Sequence, residues 1–331
     1  MAVTHKKLAE LLHVSQSTVS KALSGSREVS PELAEKIIKK AAELGYFQIK
    51  RERSRSYASV FSPEIAIFVP EIISVYYSDI ATRIVEKIKE KNGRSSIYVT
   101  GFNTEYTSFL LEKLYDNIKV DGVILLCEVR YNGEVKLPTV SFSRGNNSGI
   151  CHIESDLKSG MRDALTYLLR HGHSFIGYVG EPLTARKNRL FGELADELSA
   201  ENSIQSKTYI EDSRFEEIGV FAARKVLAEN ENERPTAFIC AYDEIAIGFM
   251  SELSKKGIEV PRDISVIGIN DIQAARYSSP PLTTISADND KAADKAAEII
   301  MRCVSDKHES MPPSLKIPTK LVVRESVGSA K

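Results

Sequence analysis

Apolar positions near the amino terminus recur at helical spacing in two stretches. They are Leu8, Leu11 and Leu12 in the first stretch, and Leu33, Ile37, Ala41 and Leu44 in the second. Thr4 and Ser30 precede these stretches as helix N-caps, and Pro31 fits a first helical turn. The pattern therefore predicts short helices that share one apolar centre and form a headpiece over residues 1–47.

Between these stretches lies a short polar segment, which reads Ser15, Gln16, Ser17, Thr18, Val19, Ser20 and Lys21. Ser15 suits the N-cap of a further helix. A helix whose exposed face carries hydroxyls, an amide and an ammonium group cannot anchor a core, so its outward positions serve another purpose than packing. A helix, a tight turn and such a second helix together suit binding in a DNA groove.

The chain beyond the headpiece divides into a linker and a large body. Residues 48–63 are poor in apolar side chains, which is typical of a linker that cannot bury itself. Over residues 64–331, amphipathic stretches of helical length alternate with β-rich runs at 65–69, 97–100, 122–127, 139–142, 175–179, 236–240 and 265–269. This alternation predicts an α/β body of parallel sheets flanked by helices. Nearly 270 residues exceed one sheet, so we expect two lobes with a cleft between them.

Charge is distributed unevenly along the 331 residues. Residues 1–57 hold eleven Lys and Arg against six Asp and Glu, whereas the remainder holds 33 against 39. A basic headpiece on an acidic body concentrates the attraction for phosphate at one end. The four cysteines show no CxxC pairing, so neither a disulfide framework nor a metal or cofactor site is expected. No apolar run approaches the ~18 residues of a membrane span, and no leader precedes the headpiece, so we expect a cytoplasmic protein.

Short motifs follow one another in order along the whole chain. They are VS at 14–15, TVS at 18–20, VSP at 29–31, LGY at 44–46, VDGVI at 120–124, GH at 172–173, PRDISVIG at 261–268, PPLTTI at 280–285 and LVVRES at 321–326. Together they resemble the lactose/galactose repressor (LacI/GalR) family of bacterial transcription regulators. The resemblance implies an all-α helix-turn-helix headpiece and a two-lobed body similar to type I periplasmic binding proteins. It also implies a homodimer on a palindromic operator in double-stranded DNA, acting as a repressor under the control of a small sugar-like effector.

The resemblance also implies which headpiece residues contact DNA. They are Thr4, Ser15, Gln16, Ser17, Thr18, Ser20 and Lys21. Gln16 and Ser17 are expected at base edges, and the neighbouring hydroxyls at phosphates. Lys21 stands where the family usually has arginine, and an ammonium group cannot make the planar two-pronged contact with a base. His13 replaces the usual turn glycine, so it must tolerate a left-handed conformation.

The linker departs further from the family, whose short hinge helix inserts a leucine into the minor groove. Counting back from Ile65 at the family's spacing places Tyr57 at the leucine position. Tyr57 is then a candidate wedge, with Arg53 or Arg55 in the narrow groove. The alternative is a flexible basic tether that only contacts phosphates.

The family's ligand positions fall on residues of both predicted lobes. They are Tyr76, Tyr77, Arg189, Phe215, Tyr242, Asp243 and Asn270. Arg189 is expected to pair with effector hydroxyls or carboxylates, whereas for Asp243 the alternative is a helix cap at a strand end. Tyr242 and Asn270 replace a frequent asparagine and a frequent aspartate, and an amide accepts fewer hydroxyl protons than a carboxylate. The expected effector is therefore a sugar derivative as readily as a simple sugar. The alternative is that the body binds a non-sugar metabolite or a partner protein.

Two other classes of protein share parts of this pattern. An extracytoplasmic solute-binding protein would have the lobed body, but it would carry an export signal and no headpiece. A doubly wound enzyme would carry a phosphate-binding or nucleophile motif, and the sequence contains no GxxxxGK[ST], GxSxG or HExxH. We therefore expect a regulator and not an enzyme. The tail after Ser326 has no heptads, so a dimer is expected in preference to a coiled-coil tetramer.

Overall fold

The computed structural model describes residues 4–23, 29–44, 46, 62–117, 120–129, 135–143, 149–202, 204–306 and 309–330. Two compact units divide the chain, Met1–Ser62 and Pro63–Lys331. The predicted linker contacts Arg53, Arg55 and Tyr57 lie outside the described residues.

In the described part of the first unit, three helices surround one apolar centre. They are α1 (His5–Leu12), α2 (Gln16–Leu23) and α3 (Pro31–Glu43). Each contributes a fully buried side chain, Leu8 from α1, Val19 from α2 and Ile37 from α3. Burial of such a side chain stabilises a fold by about 1.5–3 kcal/mol. The shared centre therefore holds helices that are too short to be stable alone in water.

The first two helices begin and end where local chemistry predicts. Thr4 accepts a hydrogen bond from the backbone N–H of Lys7 at 3.3 Å, and Ser15 accepts one from that of Thr18 at 3.0 Å. His13 ends α1 with a φ of 55°, which is the left-handed conformation expected of the residue that replaces a turn glycine. The turn between α1 and α2 is thus confirmed.

The second unit is built from β-α repeats. Its helices and strands in chain order are β1 (Glu64–Val69), α4 (Val75–Glu90), β2 (Arg94–Val99), α5 (Thr104–Asn117), β3 (Gly122–Leu125), β4 (Thr139–Ser141), β5 (Ile150–Ser155), α6 (Leu157–Arg170), β6 (Phe175–Gly180), α7 (Ala185–Asn202), β7 (Gln205–Ile210), α8 (Glu216–Leu227), β8 (Ala237–Cys240), α9 (Asp243–Lys255), β9 (Ser265–Ile269), α10 (Gln273–Tyr277), β10 (Thr283–Ala287), α11 (Asn289–Ser305), β11 (Leu315–Ile317) and β12 (Thr319–Val322).

These strands form two sheets, one in each of two lobes. The first lobe has the strand order β11-β5-β4-β3-β1-β2, and the second has β12-β10-β9-β8-β6-β7. Neighbouring strands are parallel except β10 and β12, which are antiparallel. The central strands β3 and β8 are buried along their whole length, as is usual where helices cover both faces of a parallel sheet. The predicted two-lobed α/β body is confirmed.

Helices α8 and α9 of the second lobe approach each other more closely than side chains would permit. A Cβ atom at Gly219 would lie 2.0 Å from the carbonyl oxygen of Ile245, and one at Gly248 would lie 2.1 Å from that of Glu216. Only glycine fits at these two positions. The close packing holds the first turn of α8 against the first two turns of α9.

Three crossovers between the lobes occur within the described residues, at Asp156 after β5, Asp288 after β10 and Pro318 after β11. Helix α6 therefore packs in the core of the second lobe, whereas α11 returns to the core of the first. Connections that lie side by side act as a hinge, because small changes in their backbone angles rotate one lobe against the other.

Candidate nucleic-acid interface and ligand cleft

The outward face of α2 is polar. Gln16, Ser17, Ser20 and Lys21 are exposed, whereas Val19 is fully buried in the headpiece core. The helix therefore anchors itself by its apolar side and offers an amide, two hydroxyls and an ammonium group to a partner. These are side chains that reach base edges and phosphates in a major groove.

The hydroxyl of Ser15 organises the first turn of α2. Besides capping the Thr18 backbone, its Oγ lies 2.7 Å from Oγ of Ser17 and 2.8 Å from Oγ1 of Thr18. Thr4 caps α1 in the same way. The structure thus gives Ser15 and Thr4 a local structural role, and the side chain of Gln16 is exposed at the first position of α2.

In the second unit, a cavity of about 300 Å³ lies between the two lobes. Ser155, Leu157, Ala287 and Thr319, which flank the three crossovers, form part of its wall. The volume is at the lower end of the range for small-molecule sites. Five residues predicted to contact the effector line the cavity, and these are Tyr76, Tyr77, Phe215, Tyr242 and Asn270.

Aromatic rings form both walls of the cavity. On the first lobe, the ring centre of Tyr77 lies 5.2 Å from that of Tyr76 and 6.0 Å from that of Phe102. On the second lobe, the rings of Phe215 and Tyr242 are 6.4 Å apart. Burial raises the pKa of Tyr77, so its hydroxyl remains protonated. Such walls suit a flat ligand or the C–H face of a sugar.

Asp243 does not line the cavity, which corrects the sequence prediction. The side chain is fully buried, and it accepts hydrogen bonds from the backbone N–H of Ile272 at 2.8 Å and from the hydroxyl of Thr284 at 2.6 Å. Burial raises its pKa to about 7, and these two hydrogen bonds oppose the shift. Asp243 therefore positions the loop that carries Asn270, whose φ is 109°.

Arg189 does not line this cavity but an adjoining pocket, which shares Glu154, Ser155, Leu157 and Arg186 with it, so its contact with the effector stays a prediction. Its side chain is 73% exposed and pairs with Glu193 at 3.6 Å, one turn further along α7. The residues of α7 that do line the cavity are Arg186 and Lys187. Arg189 is rotated by only about 60° from Arg186 around the helix axis, so the two arginines share a face of α7 that borders the adjoining pocket.

Arg214 is a cleft residue that the sequence analysis missed. It lies on the second lobe, and its Nη2 atom is 2.6 Å from Oε1 of Glu71 on the first lobe. Its Nε atom is 3.3 Å from the buried carboxylate of Glu181. The guanidinium group also lies 5.4 Å from the ring centre of Phe102 and 4.7 Å from that of Phe215. One arginine thus joins the two walls of the cleft by charge and by cation–π contacts.

Lys187 and Tyr242 complete the charged network on the second lobe. The Tyr242 hydroxyl donates to Oε1 of Glu181 at 2.7 Å. Lys187 donates to the carbonyl oxygen of Ala241 at 2.7 Å. Burial lowers the pKa of Lys187 to about 8, although the carboxylates of Glu244, Asp243 and Glu181 favour its charged form. Neighbouring carboxylate, ammonium and hydroxyl groups can form hydrogen bonds with several polar groups of one ligand.

Two family descriptions match this chain. A periplasmic binding protein-like domain matches residues 165–327, and a helix-turn-helix matches residues 3–40. Among curated proteins, the ribose operon repressor of Haemophilus influenzae is 30% identical over 99% of this chain and 99% of its own length. The transcriptional repressor PurR of Vibrio atlanticus is 31% identical over 92% of this chain and 93% of its own length.

A solved structure of the lac repressor dimer bound to operator and the anti-inducer ONPF has a TM-score of 0.69. It is 23% identical, and the match covers 99% of this chain and 100% of that one. These relatives define a class of transcriptional regulators, not of enzymes. The chain belongs to the LacI/GalR family within that class. No helix in the described ranges is both long and apolar enough to span a membrane.

Proposed function

We propose that this protein is a homodimeric, operator-binding repressor of transcription whose DNA affinity is set by a small polyhydroxylated metabolite in the cleft. One observation carries the proposal. The same chain has a helix-turn-helix unit with an outward polar α2 and a two-lobed unit whose cavity is lined in part by residues next to the crossovers. A ligand at that position makes different contacts when the lobes are open and when they are closed. Its binding can therefore shift the equilibrium between the open and the closed state.

Recognition of the operator is assigned to α2. Gln16 suits adenine and Ser17 several base edges, while Ser20 and Lys21 suit neighbouring phosphates. A lac repressor of similar fold has been solved as a dimer bound to operator, which supports operator binding by this protein. Arg53, Arg55 and Tyr57 remain predicted contacts of the minor groove.

Exposed apolar residues support a homodimer. The edge strand β2 of the first lobe presents Ile97 and Val99, which are 46% and 48% exposed. The nearby helix α5 adds Tyr106 and Phe109, at 45% and 50%. Apolar side chains on an edge strand are a hazard in a monomer and are usually covered by a partner. A second copy of this chain provides that cover in a two-fold arrangement.

A sugar-like effector is supported by aromatic walls that alternate with charged groups. Regulators of similar fold have been solved with cellobiose, with ribose and with D-xylulofuranose. The binding of small sugars is thus compatible with this architecture.

The experiment is a mobility-shift assay of the full-length protein on DNA from its own promoter region, at several salt concentrations and with a panel of sugars. We expect sequence-selective binding that weakens steeply with salt, because phosphate contacts release counterions. At least one sugar-like compound should alter the affinity. Binding of equal strength to unrelated DNA would contradict the proposal.

A further inference from the structure

One carboxylate oxygen of the cleft lacks a hydrogen-bond partner. Glu244, the second residue of α9, lines the cavity and is 5% exposed. Its Oε2 atom is buried, and none of the described residues donates a hydrogen bond to it. A buried carboxylate oxygen without a donor is unfavourable, so its retention calls for an explanation.

The surroundings of Glu244 place it at the meeting of the two lobes. Burial raises its pKa, while its own backbone N–H, the Lys187 ammonium group and the backbone N–H of Val75 oppose the shift. Val75 begins α4 of the first lobe, whereas Lys187 lies on α7 of the second. Glu244 therefore faces the place where a ligand would contact both lobes.

Each positively charged side chain that lines the cleft already lies near carboxylates that balance its charge. The charged residues that line it are four carboxylates and three cations, namely Glu71, Glu154, Glu181, Glu244, Arg186, Lys187 and Arg214. Arg214 pairs with two of the carboxylates, and Arg186 lies 3.7 Å from Glu154. Lys187 is balanced by Glu244 and its neighbours. An anionic ligand would add negative charge beside Glu244 without meeting a spare cation among the described lining residues.

We propose that Glu244 accepts a hydrogen bond from the effector, so that the cleft selects a neutral or amine-bearing polyhydroxylated ligand against sugar acids and sugar phosphates. This assignment rests on the proposed function and names the ligand class of the same cleft. A hydroxyl or ammonium group supplies the donor that Oε2 lacks. The aromatic walls cover the apolar face of the same molecule.

The first test is calorimetric titration of the full-length protein and of Glu244→Gln with ribose, glucose, glucosamine, glucuronate and ribose 5-phosphate. We expect binding of a neutral or amino compound, which weakens by about fivefold to tenfold in Glu244→Gln, because the glutamine amide accepts a neutral hydrogen bond that is weaker than one to a carboxylate. Glu252→Gln is the matched control, since Glu252 lies about two turns further along α9 and pairs with Arg224 away from the cavity. It should bind like the parent.

A second measurement needs no ligand. In the absence of sugar, Glu244→Gln should lower the unfolding temperature by less than Glu252→Gln does, because Lys187 keeps the carboxylates of Asp243 and Glu181 nearby, whereas Glu252→Gln breaks a direct ion pair. Glu252→Gln should unfold at a lower temperature, because it breaks an ion pair. A larger decrease for Glu244→Gln than for Glu252→Gln would show that the carboxylate is chiefly structural and would overturn the assignment.

The two proposals fail in different ways. If the full-length protein binds no operator, the proposed function fails whatever the cleft binds. If operator binding is normal but only the anionic compounds bind, or none of the five does, the ligand class is overturned and the regulator remains. Equal affinity of Glu244→Gln and the parent for a neutral sugar would also overturn the role of Glu244.

Discussion

The ion pair between Arg214 and Glu71 holds the lobes of the cleft together, and its removal should favour the open state. The two side chains are 35% and 12% exposed, and their charged atoms are 2.6 Å apart. A fully buried pair that loses one partner costs about 3–5 kcal/mol, whereas an exposed pair contributes about 0–1 kcal/mol. The partial exposure of Arg214 places this pair between those limits, at about 1–3 kcal/mol. The balance between closed and open lobes should therefore shift by about fivefold to 150-fold.

Hydrogen exchange measured by mass spectrometry on the full-length protein reports this opening. In Arg214→Gln and Glu71→Gln, backbone amides around residues 69–77 and 211–216 should exchange faster than in the parent. Arg224→Gln is the control, because its pair with Glu252 at 2.8 Å lies wholly within the second lobe. It should leave exchange in these two segments unchanged.

A double-mutant cycle from thermal unfolding isolates the pair itself. The stability changes of the two single variants and of the double variant should reveal a coupling of about 1 kcal/mol or more. Coupling below about 0.3 kcal/mol, within the error of additivity, would refute the interpretation of this pair as an interlobe link. Unchanged exchange in Arg214→Gln would refute it independently.

Three further predictions concern other parts of the chain. Because burial raises the pKa of Asp243 to about 7, the folded protein holds a proton that the unfolded chain releases. The contribution of this group to stability is therefore present below about pH 4 and is lost as the pH rises to about 7. Asp243→Asn should abolish this decrease of the unfolding temperature with pH. An unchanged pH dependence would contradict the assignment. Val99→Glu should convert the dimer to monomers in sedimentation experiments and weaken operator binding, whereas an intact dimer would remove β2 from the interface. Lys21→Ala should lower the slope of log affinity against log salt by about one, and an unchanged slope would exclude a phosphate contact.

Local patterns determined the headpiece. Thr4 and Ser15 predicted helix starts, and His13 predicted a left-handed turn, because a cap or a turn depends on residues within four positions of each other. The same reasoning found many of the buried strands, such as the predicted run at 65–69, observed as Glu64–Val69, but it missed β5 and β10. The edge strand β7, Gln205–Ile210, escaped because most of its side chains are polar and exposed.

The composition of the cleft was decided by the tertiary structure. The aromatic residues predicted for it do line it, but Asp243 is buried and Arg189 lines an adjoining pocket. The pair of Arg214 and Glu71 joins residues 143 positions apart on different lobes. A sequence indicates which side chains can carry charge, but their partners depend on how two sheets meet across a hinge. For that reason the class of protein follows from short-range patterns, whereas the selectivity of its ligand site does not.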